Sequence, residues 1–113
     1  MRNAVVLTDP AIRDLREAAT YMAGVLKNPA AAERLLEDVE KAVSALAGSP
    51  RRHSKVNDPW LSGLGVRFFS VRNHLVFYVI RETKRQVVVL RFLYGRRDWL
   101  ALVSKHLNKD DQN

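Results

Sequence analysis

The hydrophobic positions in the last third of the chain fall in three dense runs, Val66–Val71, Leu75–Arg81 and Gln86–Tyr94, separated by short polar turns. β-Branched and aromatic residues dominate them, and runs of this kind broken by short turns predict consecutive antiparallel strands, a meander. The first half has a different period. Ile12, Leu15, Ala19, Met22 and Leu26 recur at helical spacing and put one apolar stripe on a helix of about Pro10–Leu26. Thr8-Asp9-Pro10 provides its start, a side-chain cap followed by proline at the first helical position. Lys27-Asn28-Pro29 ends that helix and begins another, whose stripe is Ala32, Leu35, Leu36, Val39, Val43 and Leu46 and whose stop is Gly48-Ser49-Pro50. Glu37 and Lys41 sit one turn apart on it in the favourable order. Asn3–Leu7 reads as a first strand.

So short a link makes the two helices antiparallel neighbours, an αα-hairpin whose shared stripe must lie on the sheet. Tyr21 and Met22 are accordingly assigned to the core or the hairpin packing. The expected fold is α+β, of order βααβββ(α): an antiparallel curled sheet covered by the hairpin, with a short C-terminal helix capped by Asp98 and pinned by Trp99, Leu100, Leu102 and Val103. The 113 residues, 47% of them hydrophobic, suffice for one core and are expected to form one domain, 1–113. Arg51–Gly65 is the longest aperiodic stretch, and a loop of that length in a compact domain is often functional. Trp60 and Leu61 read as an anchor tucked against the sheet.

Charge separates the two halves. Residues 1–50 hold six Lys/Arg and seven Asp/Glu, whereas residues 51–113 hold thirteen and five, so the whole net charge of +7 belongs to the sheet half. Such asymmetry points to a nucleic-acid or acidic protein partner, with a solvated, solubilising face as the plain alternative. Strand alternation places Arg67 with Phe69 and Val71, and Arg91 with Val87, Val89 and Leu93, while Tyr94 lies with Val88, Leu90 and Phe92. A guanidinium on an apolar face must reach water, pair with a carboxylate, or meet an external anion. Between Arg51 and Lys105 the only acids are Asp58, Glu82 and Asp98. They are too few to pair the twelve basic residues there, which leaves arginines for an anion from outside.

Other chemistries find little support. The absence of cysteine removes disulfides, thiolate nucleophiles and zinc–thiolate sites. His53, His74 and His106 lie far apart without companions at ligand spacing, so no metal is expected. His53, beside Lys55 in the basic loop, is a weaker catalytic candidate as a proton acceptor near neutral pH, as is Lys55 itself. No serine stands in a nucleophile-elbow context, and neither a Walker loop nor a dinucleotide fingerprint occurs, so no cofactor is expected. The first apolar run is too short for a signal peptide and no run suits a membrane span, so a cytoplasmic protein without a membrane partner is expected.

The segment Gly65-Val66-Arg67-Phe68-Phe69-Ser70-Val71-Arg72-Asn73-His74-Leu75-Val76-Phe77-Tyr78 and the ending Leu90-Arg91-Phe92-Leu93-Tyr94-Gly95-Arg96-Arg97-Asp98-Trp99, in this order of elements, resemble the RelE/ParE superfamily of bacterial toxins. The resemblance runs from Val5 to Leu102. It implies the toxin half of a type II toxin–antitoxin module, neutralised by a cognate antitoxin. RelE-like members cut mRNA on the ribosome, their cations supporting attack of a ribose 2′-OH on the adjacent phosphate. They commonly carry arginine three residues before the tyrosine matching Tyr78, where this chain has Leu75. Arg97 matches their basic residue after the last strand. ParE-like members poison DNA gyrase and have an apolar residue at the place of Leu75 and a basic-Asp turn like Arg97-Asp98. The resemblance therefore implies a ParE-like gyrase partner first. Its alternative is a RelE-like endonuclease acting on ribosome and mRNA, with Arg67, Arg91 and Arg97 catalytic; a third is an inactive relative that binds antitoxin. Arg67, Arg72, Tyr94, Arg96 and Arg97 are the expected surface for target or antitoxin.

Overall fold

The computed structural model describes residues 3–95 and 99–104. Strand β1 (Ala4–Leu7) leads into helix α1 (Asp9–Thr20), which continues as a π-helical turn over Tyr21–Val25. Helix α2 (Pro29–Gly48) follows, then a short helix α3 (Pro59–Gly63), strands β2 (Arg67–Val71), β3 (His74–Arg81) and β4 (Gln86–Tyr94), and a closing helical stretch, α4, at 99–104. The caps lie where the sequence places them. Thr8 and Asn28 accept hydrogen bonds from the amides of Ala11 and Ala31, three residues on, each ahead of a proline that has no amide to satisfy. Asp58 does the same for Leu61, so the aperiodic stretch contains a helical turn the spacing did not disclose.

The sheet order is β1-β4-β3-β2. β2, β3 and β4 form the expected antiparallel meander, with Arg72 and Asn73 both at positive φ between β2 and β3, the two-residue turn that suits the twist of a hairpin. β1 comes from the other end of the chain and pairs in parallel with β4, Val5 beside Val87 and Leu7 beside Val89. β4 is thus an inner strand, and its run Val87–Leu90 is buried on both faces, as an unalternating apolar run requires.

Each face carries its own core. On one, the hairpin packs Ala11, Leu35, Val39 and Leu46 against Val76, Tyr78, Val87, Val89 and Phe92. On the other, Leu61 of α3 and Val103 of α4 cover Phe77, Val79, Val88, Leu90 and Leu93. Trp99 stacks on Phe77 with ring centroids 5.2 Å apart and joins this second core.

Three expectations are corrected. The buried line of α1 runs through Ala11, with Leu15, Ala18 and Met22 beside it, and leaves Tyr21 and Leu26 more than half exposed. Val25 is exposed too, so the π-turn carries an apolar cap on the hairpin tip rather than into the core. Leu61 anchors the loop as expected, but Trp60 points outward, 45% exposed. The face assignment of β4 also changes. Phe77 pairs with Arg91 and Tyr78 with Val89, so Leu90 is an extra residue and the ladder carries a β-bulge. Beyond it the alternation is offset. Phe92 faces the hairpin with Val87 and Val89, while Leu93 joins Val88 and Leu90 on the other side.

Candidate functional site

The chain leaving α2 doubles as a partial fifth strand along the outer edge of β2. Phe68 donates its amide to the Ser54 carbonyl (3.1 Å), Val56 to that of Val66 (3.0 Å), and Lys55 bridges to Arg67 in antiparallel register. This pairing gathers Arg51, Arg52, His53, Lys55 and Arg67 into one basic edge. Arg67 donates Nη1 to the His53 carbonyl at 2.6 Å and to that of Arg51 at 3.5 Å, so its guanidinium ties the loop down as well as charging it. Arg51 pairs with Glu82 from the β3–β4 turn. Arg52 and Lys55 are exposed and make no ion pair among the described residues.

His53 lies flat on Phe69, ring centroids 4.3 Å apart, and meets the edge of Tyr78. Burial, with a smaller contribution from the Arg52 charge, pushes its pKa below the usual histidine value, which keeps the ring neutral at physiological pH. Tyr78 donates its hydroxyl to the Pro50 carbonyl (2.7 Å), and burial raises its pKa against the opposing charges of Arg67 and Arg52. Chemically, this edge offers a cationic surface with two aromatic rings beneath it. It suits a phosphate or a carboxylate, with one neutral imidazole next to the charge.

The other arginines have different surroundings. Arg91 makes a two-pronged contact with Asp14 of α1, Nε to Oδ2 at 2.6 Å and Nη2 to Oδ1 at 2.9 Å, both side chains largely buried. The hydrogen bond to Asp14 raises the Arg91 pKa further. Arg72, in the β2–β3 turn, pairs with Asp38 of α2. Counting acids only within the C-terminal half therefore overstated the free cations, because the hairpin lies on the sheet and contributes carboxylates from the other half. Tyr94 is exposed and sets its ring 5.3 Å from that of His74. Arg96, Arg97 and Asp98, the last expected from the sequence to cap the closing helix, lie outside the described residues. Leu75 packs with Phe68 and Trp99 against the second core.

The sequence reading set His74 aside as a lone histidine. It is nonetheless 97% buried and, with Asp14, Glu17, Ala18, Phe92 and Tyr94, lines a cavity of about 90 Å³ where α1 crosses the end of β4. The acids that surround it lie some sixty positions away, and only the parallel placement of β1 brings α1 there.

A helical hairpin laid on a four-stranded mixed sheet is a fold this chain shares with solved proteins of toxin–antitoxin systems. The chain superposes on the chromosomal ParDE toxin–antitoxin system of P. aeruginosa with a TM-score of 0.67 at 17% identity, covering 84% of this chain and 98% of that one. The RelBE2 complex of Mycobacterium tuberculosis gives 0.60 at 22% identity (83% and 99%), and an arginine-to-alanine double mutant of the E. coli toxin RelE in the free state gives 0.63 at 15% (96% and 98%). No curated protein matches the chain by sequence. The family described as the ParE toxin of the type II toxin–antitoxin system parDE matches residues 5–99, and the chain belongs to that family.

Proposed function

We propose that this toxin arrests bacterial growth by interfering with DNA gyrase and is held inactive by a cognate antitoxin. The observation that carries this reading is the state of the cations. Of the three arginines a RelE-like site would point at one scissile phosphate, Arg91 is committed to Asp14, and the place of a further arginine is taken by Leu75 in an apolar cluster. Among the described residues such a site is left with less preorganised positive charge for phosphoryl transfer than three converging arginines would supply. The antitoxin follows from family membership and from neighbours solved as toxin–antitoxin complexes.

Purified toxin added to gyrase and relaxed plasmid is expected to suppress supercoiling or trap cleaved DNA, while translated mRNA shows no new cuts. Unimpaired supercoiling at saturating toxin together with cuts in the ribosomal A site would overturn the reading. One observation favours that second mechanism, the basic edge of Arg52, Lys55 and Arg67 with a neutral His53 beside it. On that mechanism, Arg67→Ala and Arg97→Ala each lower cutting by on the order of 10²–10³. No response in either assay, with active controls, indicates a relative that binds antitoxin without poisoning a target.

A further inference from the structure

The cavity between α1 and the end of β4 is chemically unlike the rest of this basic molecule. Its helix side presents the carboxylates of Asp14 and Glu17, its sheet side the rings of His74, Phe92 and Tyr94. Asp14 is satisfied by Arg91 and by the amide of Phe92, which donates to Oδ2 at 3.1 Å. The Glu17 carboxylate makes no hydrogen bond or close ion pair among the described residues, though its charge also acts on Arg91. The Asp14, Arg91 and Glu17 charges together leave the pocket with one uncompensated negative charge.

His74 supplies an independent pointer. Its Nδ1 lies 3.2 Å from the carbonyl of Arg72, which can only accept, so Nδ1 carries the proton and donates. Its Nε2 has no hydrogen-bond partner among the described residues, although the residue is only 3% exposed. A buried polar atom without a partner is costly unless something fills the space beside it. Among the described residues the groups at hand are thus the exposed Glu17 carboxylate, a ring nitrogen without a partner and the exposed ring of Tyr94. All three ask for a donor that is positively charged and flat.

We propose that this pocket is a subsite for an arginine side chain of a protein partner, its guanidinium stacked on Tyr94 and donating to His74 Nε2 and the Glu17 carboxylate. An ammonium fits less well, because a lysine cannot donate along two directions in one plane while lying against a ring. The partner is the antitoxin if the function proposed above holds, and the pocket then gives it one cationic anchor on a surface that otherwise attracts acids.

The probe is ethylguanidinium, titrated into the isotope-labelled full chain and followed by NMR, with ethylammonium and N-ethylurea in parallel. Saturable shifts confined to the His74 ring, Tyr94 and Ala18 are expected, with ethylammonium weaker and the neutral urea silent. Glu17→Gln, an exposed substitution outside the Asp14–Arg91 pair, is expected to weaken guanidinium binding at least tenfold while leaving the remaining spectrum unchanged. Shifts spread over all exposed carboxylates, no saturation, or binding indifferent to Glu17→Gln would overturn the proposal. Growth arrest by the unmodified chain is scored separately in cells. Arrest without guanidinium binding removes the pocket and keeps the toxin, whereas binding without arrest does the reverse.

Discussion

Asp14 is the residue whose loss should damage this fold most for its size. Its carboxylate accepts from Arg91 twice and from the Phe92 amide, which the bulge around Leu90 leaves in need of an acceptor. With side chains only 17% and 10% exposed, Arg91 and Asp14 are mostly shielded from water. Asp14→Ala strands a guanidinium and an amide together, and breaking one side of a buried pair costs about 3–5 kcal/mol. Water entering from the adjoining cavity relieves part of this, so the lower end, about 3 kcal/mol, is expected. For a urea slope of about 1.5 kcal/mol per molar, the midpoint then falls by roughly 2 M. Replacing both partners, Asp14→Leu with Arg91→Met, removes the charge problem and leaves only the unpaired amide, about 1–3 kcal/mol. The pair should therefore show a coupling of about 2 kcal/mol or more in a double-mutant cycle read by circular dichroism and tryptophan fluorescence. A single variant costing under about 1 kcal/mol, or a double variant costing the sum of the singles within about 0.5 kcal/mol, would refute the reasoning.

Trp99→Ala removes the ring stacked on Phe77 and should destabilise by about 3 kcal/mol, with the same urea assay as the check; a variant that folds normally but no longer arrests growth would place Trp99 at a target surface instead. Thr8→Ala loses both the cap to Ala11 and the bond that its hydroxyl donates to the Leu90 carbonyl (2.9 Å), and about 1–2 kcal/mol should go with them. His53 has a lower pKa folded than unfolded. As pH falls through the ordinary histidine value of 6.5, the unfolded chain takes the proton first and stability drops, levelling off below the folded value. His53→Phe should flatten that part of the stability–pH curve, and an unchanged slope would contradict the assignment. Tyr78→Phe leaves the Pro50 carbonyl without its hydroxyl donor and should cost about 1 kcal/mol by thermal unfolding.

Much of the fold was legible because its signals are local. Thr8-Asp9-Pro10 and Asn28-Pro29 mark helix starts by the chemistry of the first turn, and the strand runs are dense enough to stand without partners. What escaped depends on distant pairing. The bulge at Leu90 follows from how β4 meets β3, and it moved Phe92 and Leu93 to opposite faces from those that alternation assigned. Asp14 carries no signal in the helix pattern, and its role follows only once β1 sets α1 across β4. The candidate site was legible only in part: the loop's basic residues and Arg67 do converge, because Ser54–Val56 pairs along β2, whereas Arg91 and Arg72 are answered by hairpin carboxylates. His74 gave no signal, since the pattern starts the strand at Leu75 and only the fold makes His74 its first, buried residue.

The place of β4 between β1 and β3 bears on how the chain is made. Translation delivers β1 well before β4, so among the described strands β1 has no neighbour until β4 emerges, and neither core can close before then. Contacts of such long sequence separation fold slowly, since the chain must be brought together before any pairing rewards it. At ordinary synthesis rates of about 5–20 residues per second, several seconds pass in which the apolar faces of both helices are already present without the strand that covers them. A fragment that stops short of Gln86 lacks the inner strand altogether. The sheet of this domain is thus completed only once β4 has been made, and a chain cut short before that strand yields pieces of the sequence but not its surface.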